Sequence, residues 1–512
     1  MKKFLGSVLL TAMSVVVCVA FAELATRMID GLPWFAADLP PVGGTEGTDT
    51  TANHLGNLPK ADGATPTLYA SDPPPLPNRT KAPQEWIDLE RAIVSGTAQG
   101  GAKTGKHRFE DWDMFKAWNS VFVGDDVCKH WYLKGAPGQL WVYDPPDGKA
   151  RPVFRFLPNV TTPRGLVTNE LGWRGPPVQA ARQPKTIRIV FVGASTTAEV
   201  HGYPYSGPEY IQNWLNRWAA AKQLDVRFEV LNAGRESLQS ADIAAVVKTE
   251  VAPLRPDLVV YYEGGNELDL STVVKEVPKG VPQPAGKLAR WLREAAKHSA
   301  LARRLEAVTD GGEWPKPDYQ LTWPAGVDEK NPDLSRGDLP VNLSGILRNL
   351  DSIREDVTKA GGELAVSSFS WLAKDGLQLD ANRHKPLVEG LNVRLYPYRY
   401  RDLERMTKFE NLVFEKYAAE HKLPFIDVAG WMPHDPELFS DAFHNTPAGV
   451  KLRAWIMFLQ LVPLIEKKLA LGEWPKQAAE MGVAQAPFAV APRKITFDCS
   501  NAPDVERPVG DQ

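Results

Sequence analysis

The chain has 512 residues, 59 Lys/Arg against 62 Asp/Glu for a formal net charge of −3, and 43% hydrophobic residues. That is the composition of a folded chain with sizeable cores and room for two or three domains, which excludes the disordered and fibrous classes. Charges of both signs are well mixed and no basic stripe or nucleic-acid-binding motif is present, so nucleic acid is set aside as a partner.

Lys2 and Lys3 precede an uncharged run, Phe4 to Ala22, "FLGSVLLTAMSVVVCVAFA". This is about the 20 residues that cross a bilayer. The basic flank predicts that Met1 stays cytoplasmic and that everything after Glu23 is exported. Two readings of residues 1–22 compete. Ala20-Phe21-Ala22 has the small-x-small form of a signal-peptidase site, which would release a soluble protein after Ala22. A retained helix would instead anchor the chain to the inner membrane through residues 4–22, facing the periplasmic side, and the length of the run favours that reading. Outside this segment the cysteines are Cys128 and Cys499, an even pair in an oxidising compartment, read either as one disulfide or as two separate thiols.

Residues 23–83 contain the Gly-, Pro- and Thr-rich stretches "PPVGGTEGTDTTANHLG" and "SDPPPLPNR" and lack periodicity, which predicts a flexible linker. Residues 84–183, dense in aromatics and ending in "VTNELGWRGPP", read as an accessory segment of short strands and turns. From 184 to 470 the pattern alternates. Strand "TIRIVFV" is followed by a helix with Tyr210, Ile211, Trp214, Leu215 and Trp218 on one face, then strand "VRFEVLN", helix "SADIAAVVKTEVAPL" and strand "PDLVVYY". After an insertion at 270–340 come helix "LSGILRNLDSIREDVTKAG", strand "GELAVSSFSW", helix "FENLVFEKYAAEH", strand "LPFIDV" and a long helix from Pro447. The insertion carries "GKLARWLREAAKHSALARRLEAV", read as one amphipathic helix packed on the domain, with a cap over the site or a face on anionic lipid as the sharper alternative. Residues 471–512 form a tail. Strands alternating with helices imply an α/β fold whose parallel sheet is covered on both faces, with ligands bound outside the carboxyl ends of its strands.

Those strand ends carry Gly193-Ala194-Ser195, Asn232-Ala233-Gly234 and Gly264-Gly265-Asn266-Glu267. "SDAFHNTPAG" adds Asp441 and His444 just before the last helix, with Thr446 and Pro447 placed to start it. Each taken alone reads more readily as a cap, a turn or a loop residue; together they meet the needs of a serine nucleophile. Ser195 needs a base, His444 supplies it, and Asp441 can hold the imidazole in the right tautomer. Donors aimed at the developing oxyanion are worth about 3 kcal/mol each, and the Ser195 N–H, the Gly234 N–H and the Asn266 amide would supply three.

On these residues the chain resembles the SGNH hydrolases, the GDSL-type esterases and lipases. The family's four blocks are similar to Gly193-Ala194-Ser195, to Gly234, to Gly264-Gly265-Asn266 and to Asp441 through His444. The resemblance implies a flavodoxin-like three-layer α/β/α fold, a Ser195–His444–Asp441 triad and an oxyanion hole from Ser195, Gly234 and Asn266. "NELGWRG" and the N-terminal span are similar to a bacterial membrane-anchored subset. Ala194 stands where the family usually has Asp, and Glu267 where many members have Asp. The expected activity is cleavage or transfer of a small acyl group, such as O-acetyl, on an acylated carbohydrate or a lipid ester, through an acyl-serine intermediate, with no cofactor and no metal. The contrasting expectation is a non-catalytic envelope binding protein that keeps the fold.

Overall fold

The computed structural model describes residues 2–39, 47–82, 84, 87, 141–142, 155–156, 159, 161, 165–179, 181–199, 204–274, 276, 278–284 and 286–476. Most of the expected accessory segment, Cys128, Cys499 and the tail beyond 476 therefore lie outside the described residues.

Five strands form one sheet: β1 (Thr186–Gly193), β2 (Arg227–Asn232), β3 (Leu258–Tyr262), β4 (Glu363–Ser367) and β5 (Phe425–Ile426). Their order is β2-β1-β3-β4-β5, and every pairing is parallel. Among the described residues the α-helices of seven residues or more are α1 (Lys2–Ile29), α2 (Gly207–Ala221), α3 (Ser240–Val246), α4 (Gly286–Ala296), α5 (Ala300–Asp310), α6 (Leu343–Lys359), α7 (Tyr400–Glu420) and α8 (Pro447–Ala470). Parallel neighbours need right-handed crossovers. The chain moves outward once, from β1 to β2, and then back across β1 to β3, β4 and β5, so α2 packs with α8 on one face while α6 packs with α3 and α7 on the other. The result is the expected three-layer α/β/α fold. Every residue of β1 and β3 is buried, which is why both strands read as continuous apolar runs rather than alternating ones.

All five residues expected on the inner face of α2 are buried. The long α8 is apolar enough to cross a membrane, yet most of it lies inside the domain core. Two expected elements differ. The segment read as one helix over 286–308 breaks at Lys297–Ser299 into α4 and α5, because Ser299 caps α5 by accepting from Ala302 N at 3.1 Å. The helix expected from 409 starts a full turn and more earlier, at Tyr400, since Tyr400, Leu403 and Met406 extend the buried stripe.

The stretch expected as a flexible linker is ordered wherever it is described. α1 runs seven residues past Ala22, and 47–82 is laid over the domain as a strap with Leu58, Leu68 and Tyr69 buried. The cause lies in α2. The buried indoles of Trp214 and Trp218 require acceptors for their N–H groups, and the strap supplies them: Ser71 O at 3.1 Å and Asp62 O at 2.8 Å. Thr50 and His54 also bond Asp435 at 2.6 and 2.9 Å.

Trp214 joins strap, α2 and α8, its ring lying against Tyr69, Tyr210, Trp455 and Phe458. Trp214→Ala is expected to cost about 3–5 kcal/mol, read from the midpoint of a urea denaturation curve, and to make the 47–82 strap newly sensitive to limited proteolysis.

Candidate active site

The sheet brings the expected residues to one edge. Gly193 pairs with Tyr262 across β1 and β3, so Ser195, two residues beyond one strand, and Asn266, four beyond the other, emerge side by side. This is where the strand order reverses direction, the place at which open parallel sheets bind ligands. Gly193 is a glycine because a Cβ there would stand 2.2 Å from Tyr262 O and from Thr197 Oγ1. Ser195 opens a single helical turn, Ser195–Ala198, and is 5% exposed.

The imidazole of His444 bridges two partners: Nε2 lies 2.8 Å from Ser195 Oγ, and Nδ1 lies 2.8 Å from Asp441 Oδ2. The second Asp441 oxygen accepts from the backbone N–H of His444 and Phe443 at 2.8 and 3.0 Å, which locks the Asp-x-x-His turn. Thr446 caps α8 immediately after, accepting from Gly449 N at 3.3 Å. Burial works to raise the Asp441 carboxyl, but the imidazole beside it and the two N–H donors outweigh this and hold it well below the usual range. Burial likewise opposes a charge on His444; Asp441, with Glu236 and Glu263, outweighs it and lifts the imidazole above its ordinary value. The arrangement can take the Ser195 proton on Nε2 while Asp441 stabilises the resulting cation.

The expected oxyanion donors are placed unequally. Gly234 N–H already donates to Asn232 Oδ1 at 3.0 Å, so its expected role as a third donor requires sharing that bond. Its lack of a side chain is needed regardless, because a Cβ would stand 2.7 Å from Ala198 N. Asn232 in turn donates from Nδ2 to Thr197 O at 2.7 Å and so ties β2 to the nucleophile turn. The Asn266 side-chain amide gives one hydrogen to Leu238 O at 2.9 Å, leaving its second for a ligand.

Several residues around the site were not singled out from sequence. Glu263 accepts from the N–H groups of Gly265 and Asn266 at 2.9 and 2.7 Å, shaping the loop that presents Asn266. Burial pushes its carboxyl up to about 7 despite those two bonds. Burial, with Glu263 and Glu267 nearby, raises Glu410 well above the carboxylate range. Arg453 of α8, 3% exposed, donates to Thr196 O at 2.6 Å, to Asn445 Oδ1 at 2.5 Å and to the buried Glu199 carboxylate. It thus staples the nucleophile turn to the residue following His444. Arg174, from the "NELGWRG" stretch, pairs with Glu209 and reaches Glu199 O from the other side. The signal for these residues was a charged side chain inside an otherwise apolar pattern, such as Arg453 within "VKLRAWIMFLQLV". Among the described residues no three His, Cys, Asp or Glu side chains are grouped to hold a metal ion.

No family model matches the chain. No curated protein matches it either. Among solved structures the chain is similar to a GDSL-like lipase of Bacteroides thetaiotaomicron at 14% identity, covering 57% of this chain and 92% of that one with a TM-score of 0.29. It is also similar to a lipase/acylhydrolase of Enterococcus faecalis at 18% identity, 57% and 100% coverage and a TM-score of 0.30. An acetyl xylan esterase matches at 12% identity, 53% and 98% coverage and a TM-score of 0.30.

Two outcomes are expected from the site's electrostatics. A base must be neutral to accept a proton, so a raised His444 places the acid limb of kcat/KM above the ordinary imidazole value of about 6.5. Asp441→Asn should move that limb to lower pH and cut kcat by about 10⁴-fold, both read from pH–rate profiles. Arg453→Met should destabilise the fold by about 3 kcal/mol, because it leaves the Glu199 carboxylate buried without its partner; denaturation at neutral pH measures this.

Proposed function

We propose that this chain is an exported serine ester hydrolase or acyltransferase of the SGNH type, anchored to the membrane by α1. The observation that carries the reading is the continuous relay from Ser195 Oγ through both nitrogens of His444 to Asp441, with 2.8 Å at each step. Support for the anchor comes from the uncharged run Phe4–Ala22 of α1 directly behind the basic Lys2-Lys3 flank.

The chemistry follows from the geometry. As Ser195 Oγ attacks an ester carbonyl, its proton passes to His444 Nε2, and the carbonyl oxygen gains the negative charge. The Ser195 N–H and the free Asn266 amide hydrogen face that charge. Collapse expels the alcohol, which takes the proton from His444, and leaves an acyl group on Ser195. A water molecule or a second hydroxyl then repeats the sequence in reverse, regenerating Ser195. Hydrolysis and transfer differ only in that last acceptor. An export orientation puts O-acylated envelope glycans and lipid esters within reach, and a small acyl group such as acetyl is the substrate class proposed.

Release of p-nitrophenol from the acetate, butyrate and octanoate esters is expected to be fastest for acetate. Ser195→Ala and His444→Ala should each lower kcat by about 10⁴-fold or more. If the folded wild-type protein neither turns over any of the three nor reacts with a fluorophosphonate at Ser195, the reading is wrong.

A further inference from the structure

The surface where the apolar helix meets the domain carries a second feature, and its interpretation rests on reading α1 as a retained membrane anchor. At about 1.5 Å per residue the run Phe4–Ala22 covers roughly 28 Å, close to a hydrocarbon thickness of about 30 Å. Glu23 therefore stands at the outer boundary of the bilayer. Its carboxylate does not end the helix but grips the α4–α5 hairpin, accepting from Ser299 Oγ at 2.7 Å, Ala300 N at 2.9 Å and Leu301 N at 3.0 Å. One turn later Arg27, 6% exposed, donates to His298 O at 2.7 Å and to Pro33 O and Ala36 O at 2.9 Å. Arg304 of α5 pairs with Asp30. The hairpin tip and the 33–36 turn are thus held at the level of the bilayer boundary by a set of partly buried polar contacts rather than by a loose tether.

That same region exposes apolar side chains. Trp34 and Phe35 in the turn, Leu288 and Trp291 on α4, and Leu305 and Val308 on α5 are all exposed. Beyond α1, the only other large hydrophobic residues so exposed among the described residues are Val281, Val393, Trp431 and Leu471, so the concentration here is not a general property of the surface. Counted from His298 at the tip, Trp291 and Leu305 are each seven residues away and Leu288 and Val308 each ten. In an antiparallel pair they stand at matching heights. Of the six Lys/Arg between 286 and 310, Arg293, Lys297 and Arg304 are paired with Asp310, Glu294 and Asp30 and Arg303 is buried, so Lys287 and Arg290, next to Leu288 and Trp291, are the two that suit anionic headgroups. A second copy of this chain would bring those same cations face to face.

We propose that the α4–α5 hairpin and the Trp34–Phe35 turn form a foot that rests in the anionic headgroup layer of the bilayer holding α1. The hairpin leans onto the membrane so that the Leu288/Trp291 and Leu305/Val308 stripe is covered by lipid. The foot is coupled to the catalytic edge. Arg303 O accepts from Asn382, Gly311 O accepts from Leu379 N at 2.6 Å, and Trp314 N donates to Asn392 Oδ1 at 2.9 Å. Gly390, two residues before Asn392, lies so close to the triad that a Cβ on it would stand 3.8 Å from Asp441 Cβ. The triad is thereby held at a set height above the membrane rather than swinging on a linker.

The test uses the full chain in nanodiscs of phosphatidylethanolamine and phosphatidylglycerol, with the photo-crosslinker p-benzoylphenylalanine placed in turn at Val16, Phe35, Trp291, Leu305 and Leu471. These positions are exposed, and circular dichroism checks that each variant folds. Lipid adducts read by mass spectrometry are expected at 16, 35, 291 and 305, with none at 471. Adducts at 16 alone would overturn the foot and leave the anchor standing. A missing adduct at 16, or a chain beginning at Glu23, would overturn the anchor reading itself. Protein dimers crosslinked through 291 and 305 in place of lipid adducts would replace the membrane with a second copy and sink the proposal.

Discussion

The buried guanidinium of Arg453 is the interaction on which the rest of the site depends. A charge inside a parallel-sheet core is costly unless it is paired and fully hydrogen-bonded. Here it meets the Glu199 carboxylate, the Thr196 carbonyl and the Asn445 amide oxygen at once. Thr196 follows Ser195 and Asn445 follows His444, so one side chain ties together two loops about 250 residues apart. Glu199 is itself in the left-handed region at φ 51°, ending the nucleophile turn after four residues. Its second carboxylate oxygen accepts from Gly207 N at 2.6 Å and so anchors the start of α2. Ser195 is thereby presented on a turn that cannot lengthen into an ordinary helix.

Behind that staple the sheet determines what can be reached. The parallel order β2-β1-β3-β4-β5 sends every strand's carboxyl end to one edge, and the reversal between β1 and β3 leaves a crevice there. Two glycines allow the loops to close around it. Gly193 passes against Tyr262 and Gly234 against Ala198, each too near for a side chain. Asn232, at the last position of β2, then links the two by bonding both Thr197 O and Gly234 N. The geometry is set by backbone proximity, and the Ser195, His444 and Asp441 side chains are added to a frame already closed.

The electrostatics of the edge are asymmetric. Asp441, Glu236 and Glu263 all favour a cationic His444, the state the imidazole takes after accepting the serine proton. Glu410 is different: it is buried so close behind the Asn266 loop that a Cβ on Gly264 would stand 2.9 Å from its Oε1, and burial, with Glu263 and Glu267 nearby, raises its carboxyl well above the carboxylate range.

Much of this was legible in the sequence because it is local. Continuous apolar runs announced β1 and β3, helical periodicity announced the inner face of α2, and the Asp-x-x-His turn contains two of its own hydrogen bonds. The residues expected to act, Ser195, Asp441 and His444, are brought together, and Asn266 stands on the same edge. Other features could not be read from a single chain. The 47–82 stretch looks like a linker by composition, but it is bound because Trp214 and Trp218 need acceptors that nothing nearby in sequence supplies. The stretch 286–308 looked like one helix; the Ser299 cap that breaks it is reinforced by Glu23, some 270 residues earlier. The sequence by itself determined which residues are candidates for the chemistry and that they stand at the ends of parallel strands, since both follow from patterns a few residues long. Only the tertiary structure decided which buried charges meet, which donor Asn232 occupies and where α1 is locked, because each depends on partners that burial alone brings within hydrogen-bonding distance.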